Sequence, residues 1–325
     1  MVSPISSGSR HVFALVLALV AAGPLRSEVP PPQPAPTDSA EESAAAQPPS
    51  ATPSAPDISR SLDTRAETLA WRELRLVTDR ERAIWERLRA APEDEDARKR
   101  AEAEFRDVIT AYENIIRSDP DMAEAYAAYG LLLKRNGNRE ESAKTLLKTN
   151  QLDPNIPMVK NQLGNFLAED GSYNQALAYY LSAIELKGDE PLYHYQLGSL
   201  LFAYRDFFLD DKTYDRATLD AKMQTAFRRV AELASDNWPY IYRYAESFYD
   251  LETVDWPAAL AEWRKLEQKA PEGLGKQTIR IHIANVMAEM GKRDEAVALL
   301  ETVTEPALAD QKKTMVARLH ETPKE

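Results

Sequence analysis

Residues 157–190 read PMVKNQLGNFLAEDGSYNQALAYYLSAIELKGDE, and residues 123–156 before them read AEAYAAYGLLLKRNGNREESAKTLLKTNQLDPNI. Set one above the other, Gly130 falls on Gly164, Gly137 on Gly171, Leu146 on Tyr180 and Pro154 on Gly188. Each interval is 34 residues, and Gly198 extends the first series by another 34. Tyr112 and Pro120 stand one interval earlier than Leu146 and Pro154. A fixed period of this length is the mark of a repeated helix-turn-helix unit.

Each recurring residue has a physical reason. A glycine at 130, 164 and 198, always after a large residue (Tyr129, Leu163, Leu197), lets two helices of a hairpin approach closely. Ala176 and Ala183 do the same from the second helix. Gly137 and Gly171 end first helices, where a positive φ is often needed. Pro154 follows Asp153 beyond a second helix, which it cannot continue. Tyr173 opens a second helix and is expected to wedge between the two helices of its own hairpin.

These residues resemble the tetratricopeptide repeat family, whose pattern runs aromatic, Leu-Gly, aromatic, Ala, aromatic and a closing Pro. The segments 123–156 and 157–190 match closely; the latter carries Leu163-Gly164, Gly171, Tyr173, Ala176, Tyr180, Ala183 and Leu186. Three looser units follow at 191–237, 238–273 and 277–304, the last with Arg293 in place of the usual aromatic. The resemblance covers about 101–304 and implies an all-α fold, a right-handed superhelical α-solenoid of antiparallel helix hairpins. Residues 58–122 are expected to supply N-terminal capping helices and a first half-repeat, with Leu69, Trp71, Leu74, Leu76, Ile84, Trp85 and Leu88 on an interrupted stripe and Pro92 as a break. Residues 305–325 are expected to form a C-terminal capping helix started by Pro306, and a tail.

The first 57 residues read differently. Arg10 and His11 precede an apolar run at 12–22 that ends in Ala21-Ala22-Gly23. A charged start, a short apolar stretch and small residues make a secretory signal peptide, with cleavage expected after Ala22. The run is shorter than the roughly 20 apolar residues of a membrane span. Residues 23–57, rich in Pro, Ala, Ser, Gln and Thr, cannot bury enough apolar surface to offset chain entropy and are expected to be a disordered spacer. The expected location is therefore outside the cytoplasm, periplasmic or secreted.

Composition narrows the function. The 325 residues carry a net charge of -12, the wrong sign for neutralising phosphates, so a nucleic-acid partner is not expected. There is no cysteine, which removes disulfides, thiolate metal sites and a cysteine nucleophile. Of four histidines, His11 lies in the leader and His194, His282 and His320 fall on different helices, without metal-ligand spacing. No phosphate-binding glycine loop or nucleophile elbow occurs. No metal, cofactor or catalytic residue is expected.

The resemblance places binding on the groove lined by the first helix of each hairpin. The helix period, set against the Leu-Gly pairs, points Lys134 and Arg135, then Asn161, Gln162 and Asn165, then Tyr195, Gln196, Ser199 and Phe202, then Tyr242, Arg243, Glu246 and Tyr249, then Ile281, His282, Asn285 and Glu289 inward. Amides pair the backbone of an extended ligand, and tyrosines give rigid contact area at low entropic cost. One subfamily grips a terminal carboxylate with Lys-x3-Asn, Asn and Lys-x3-Arg on three helices. Asn165 and Arg243 match two of those positions, but Asn161, Gln196 and Pro239 occupy the others, so no such clamp is expected.

Between Leu201 and Phe227 the third unit is 13 residues longer than the 34-residue repeat. Two lengthened helices turning at 210–215 would carry Phe207 and Phe208 to an exposed tip; alternatively both rings fold back on the neighbouring hairpin. The expected function is a non-enzymatic adaptor in the cell envelope that holds a protein or extended peptide in the groove. The alternative is an assembly factor or noncatalytic subunit of an outer-membrane or cell-wall machine, acting through the convex or insertion face. An enzyme is a further alternative, for which no cluster of reactive residues is seen.

Overall fold

A computed structural model describes residues 58–91 and 94–320, with side-chain surroundings described from residue 69 onward. The expected leader at 1–22, the spacer at 23–57, the break at Pro92 and the tail at 321–325 lie outside the described residues. Among the described residues there is no strand, and the fold is an all-α solenoid of helix hairpins.

Helices α1 (Ile58–Ala90) and α2 (Glu95–Ser118) form the first pair. They run antiparallel, because Arg87 pairs with Glu104 while Arg80, farther back on α1, reaches Asp107 at 3.1 Å. Asp94 caps α2 by accepting the Ala97 amide, and Glu95 and Asp96 place negative charge at the positive end of the helix dipole. Leu74 and Ile84 of α1 are buried, whereas Leu69 and Leu76 are 52% and 63% exposed. Trp71, Trp85 and Leu88 pack partly buried against the same core, so of the expected stripe only Leu69 and Leu76 face solvent.

Five hairpins follow. They are α3 (Ala123–Arg135) with α4 (Arg139–Leu152), α5 (Pro157–Glu169) with α6 (Tyr173–Leu186), and α7 (Pro191–Ala203) with α9 (Arg216–Leu233), the short α8 (Arg205–Asp210) lying between them. Then come α10 (Trp238–Ser247) with α11 (Trp256–Lys269), and α12 (Leu274–Glu289) with α13 (Arg293–Glu301). A 3₁₀ turn at Pro306–Leu308 leads into the closing α14 (Ala309–His320). The fourth hairpin is splayed: α10 packs mainly on α9, and α11 mainly on α12.

The glycine register holds the hairpins together. A Cβ built on Gly130 would lie 2.7 Å from Leu146 Cδ2, one on Gly164 2.7 Å from Tyr180 Cε1, and one on Gly198 2.9 Å from Phe227 Cε1. Phe227 stands 47 residues after Tyr180, which is the 34-residue repeat plus the 13 of the insertion. The same glycine-to-large-residue contact therefore recurs across the inserted segment. Gly137 and Gly171 adopt φ of 78° and 79°, letting the chain leave α3 and α5 in a turn that strains other residues.

The insertion departs from the expected pair of lengthened helices. Helix α7 stops at Ala203, the chain bends at Tyr204, and only α9 is long. Phe208 is fully buried among Leu201, Leu219 and Met223, so it forms no exposed tip. Phe207 is 36% exposed and packs edge-on against Tyr173, with ring centroids 5.0 Å apart. Tyr173 itself stacks on Tyr204 at 3.8 Å, so its ring reaches the next hairpin instead of staying within its own.

Polar contacts fix this bend. Arg216 Nε donates to both carboxylate oxygens of the buried Asp220 at 2.9 and 2.8 Å, and the Glu252 amide donates to Asp220 at 2.8 Å. Arg205 and Arg216 both donate to the Asp250 carbonyl, at 2.8 and 3.0 Å. The inserted segment is thereby fastened to the turn between α10 and α11.

Candidate functional site

The first helices lie side by side, as their cross-helix contacts show. Arg135 of α3 reaches Glu81 of α1 at 3.2 Å. Lys134 of α3 donates to Gln162 of α5. Tyr195 of α7 packs on Tyr240 of α10 at 5.1 Å, and Tyr242 of α10 meets His282 of α12.

On α5 the amides are tied to one another. Gln162 Oε1 accepts from Lys134 and, at 3.1 Å, from Asn165 Nδ2. Asn165 Oδ1 accepts from the Tyr180 hydroxyl at 2.7 Å. Burial lowers the pKa of the Lys134 ammonium, since a charge loses solvation there. Asn161 differs from the expectation for it. It is 0% exposed, and neither its Oδ1 nor its Nδ2 has a hydrogen-bond partner. Its inward position is covered by neighbouring side chains, so it offers no amide to a ligand in this conformation.

On α7, Tyr195 is half-buried between Tyr240 and Phe227, edge-on to the latter at 6.1 Å. Gln196 and Ser199 are half-buried, and among the described residues their side chains make no hydrogen bond. Phe202 is 42% exposed.

On α10 and the following turn the aromatic residues gather. Tyr242 Oη lies 2.9 Å from His282 Nε2, and its ring meets Trp263 edge-on at 5.2 Å. His282 stacks flat on Trp263, with centroids 4.2 Å apart and planes 1° from parallel. Burial pushes the imidazole pKa down to about 4. Tyr249 packs on Trp263 and His282, and burial pushes its phenol pKa up. Arg243 donates to Asp250 at 2.9 Å and lies over the rings of Phe227 and Phe202, 4.3 and 4.7 Å from their centroids. Glu246 is half-buried beside them, and its carboxylate forms neither an ion pair nor a hydrogen bond among the described residues.

The expected groove residues thus fall into a hydrogen-bonded amide group on α5 and an aromatic group on α7, α10 and α12. Sequence reasoning did not single out the stack of Trp263 on His282 or the contact of Tyr240 with Tyr195. Trp263 aligns with the aromatic of earlier second helices, but its stacking partner comes from another hairpin. Among the described residues, no three His, Asp or Glu side chains converge as metal ligands, and no helix is long and apolar enough to cross a membrane.

No protein-family model matches the chain, and no curated protein matches it. Solved structures do. YrrB, a TPR protein with an unusual peptide-binding site, is similar at 16% identity and a TM-score of 0.49, over 64% of this chain and 96% of its own. Pseudomonas aeruginosa pilF is similar at 15% identity and a TM-score of 0.45, over 74% of this chain and 97% of its own. A chain of the Naa15/Naa10 complex bound to HypK-THB is similar at 14% identity and a TM-score of 0.48, over 74% of this chain and 34% of its own. With five hairpins and one glycine contact repeated through three of them, the chain has a tetratricopeptide-type α-solenoid fold.

Proposed function

We propose that this chain is a non-catalytic scaffold that holds a protein or extended peptide against the face made by its first helices. The observation that carries the reading is the state of Gln196 and Glu246. They stand on adjacent first helices, half-buried, and make no side-chain hydrogen bond or ion pair among the described residues. Polar groups that stay reachable and make no bond within the chain can pair with a ligand, each such hydrogen bond contributing about 0.5–1.5 kcal/mol net and more where one partner is charged. Tyr195, Tyr242 and Tyr249 flank these groups and are already held by ring contacts. Rigid side chains lose little entropy when a partner arrives.

The workplace is the cell envelope, a reading that rests on the leader at 1–22 and the spacer at 23–57. Mass spectrometry of the mature protein should find its N-terminus near Gly23; an intact leader in a soluble cytoplasmic fraction would refute export.

A second reading places the partner on the insertion, because Phe207 remains partly exposed there. Comparative capture from an envelope fraction separates the two. The wild type, a groove variant (Gln196→Ala with Ser199→Arg) and Phe207→Ala are used as baits, with melting temperatures checked. Loss of the captured partner in the groove variant alone supports the groove. Loss in Phe207→Ala alone moves the site to the insertion.

A further inference from the structure

Glu246 is a carboxylate on the first-helix face, three residues after Arg243. It sits on α10, half-buried, and accepts no hydrogen bond or ion pair among the described residues. The cation beside it, Arg243, is directed elsewhere: it bonds Asp250 at 2.9 Å and packs over Phe227 and Phe202. Burial raises the pKa of Glu246, and the nearby charge of Arg243 offsets that only in part.

The surroundings favour a cation. The charge of Glu246 is felt by the hydroxyls of both Tyr242 and Tyr249. The charge of Glu289 on α12, which is exposed, also acts on Tyr249. The charges of two carboxylates on neighbouring first helices therefore act on one tyrosine. Aromatic faces attract ammonium and guanidinium groups, and the seat of Arg243 on Phe227 and Phe202 shows such packing within this same region. An acidic side chain would meet repulsion from both glutamates. The net charge of -12 adds a long-range attraction for basic segments.

We infer that the part of the groove built by α7, α10 and α12 takes a lysine or arginine side chain of the bound segment on the carboxylate of Glu246. This rests on the groove reading above and adds a chemical preference to it. The cation ion-pairs with Glu246 while its stem packs on the tyrosine rings.

A random peptide library displayed on phage, panned on the full chain, tests this. Peptides selected by the wild type, and lost from the Gln196→Ala, Ser199→Arg variant, should share a lysine or arginine at one fixed position. Glu246→Gln, which keeps the side-chain shape, should bind those peptides roughly tenfold more weakly and lose the preference, as expected for one charge-assisted contact. Its melting temperature should match the wild type. Groove-dependent peptides with no basic position, or a basic position indifferent to Glu246→Gln, would overturn the inference and leave the groove standing. Selection of no groove-dependent peptide would overturn the groove reading and this subsite with it.

Discussion

The ring of Tyr180 occupies the space that a side chain on Gly164 would need, with Cε1 2.7 Å from an ideal Cβ at that position. The Tyr180 hydroxyl is held at the same time by Asn165, so the ring cannot swing aside without losing a 2.7 Å hydrogen bond. Ala176, one turn away on α6, is fully buried against the same helix pair. Gly164→Leu and Ala176→Trp should each destabilise the fold by about 1–3 kcal/mol or more, the usual cost of overpacking. Urea unfolding measures this; unchanged midpoints for both variants would mean that the hairpin contact is wrongly placed.

Asp220 should matter more than its single charge suggests. It is buried and receives Arg216 and the Glu252 amide, with Arg205 at 3.8 Å. Asp220→Ala leaves two arginines without their carboxylate, a loss of about 3–5 kcal/mol for a buried pair. Hydrogen exchange at residues 251–255 should speed up in this variant. Exchange and stability like the wild type would show that the turn after α10 is held by other contacts.

Acid should weaken the C-terminal hairpins through His282. Its folded-state pKa, about 4, lies below the ordinary value of 6.5, because burial disfavours the charged ring. Between those values the unfolded chain binds the proton and the folded chain does not. The stability contributed by the neutral ring is therefore complete above about pH 6.5 and is lost as the pH falls towards 4. The full effect is on the order of 3 kcal/mol. Proton NMR should show the His282 ring neutral at pH 5.5; titration near 6.5 would contradict its burial.

Asn161 presents the opposite case, a buried polar group that stabilises nothing within the chain. With Oδ1 and Nδ2 both unpaired, replacing it by an apolar residue of similar size removes a cost of about 1–3 kcal/mol. Asn161→Val should melt at or above the wild-type temperature. A drop of several degrees would show that the amide has a partner in solution.

The repeat was legible because its cause is local and periodic. Gly130, Gly164 and Gly198 mark close approach, and their partners Leu146, Tyr180 and Phe227 follow at the distances the hairpin requires. The insertion was not legible in shape. Helix period alone carries α7 on through Tyr204, but the bend is set by Arg205 bonding the Asp250 carbonyl, 45 residues away. The same limit applies to the groove. Periodicity places Asn161 and Asn165 on one face of α5, yet Asn165 is tied to Tyr180 and Gln162 while Asn161 is covered. Which inward residue stays open depends on how neighbouring hairpins lean together, and no single helix encodes that.

The central claim, that the first-helix face holds the partner, is tested most directly by photo-crosslinking. A benzophenone amino acid is placed in turn at Gln196 and Phe202 on α7, at Leu147 on α4 and Leu181 on α6, and at Phe207 on α8. Leu147 and Leu181 are 46% and 45% exposed, so they are accessible controls on second helices. In cells, irradiation should join one partner to the chain from positions 196 and 202 and leave the other three unlinked. A partner joined from 147, 181 or 207 and never from 196 or 202 would contradict the account.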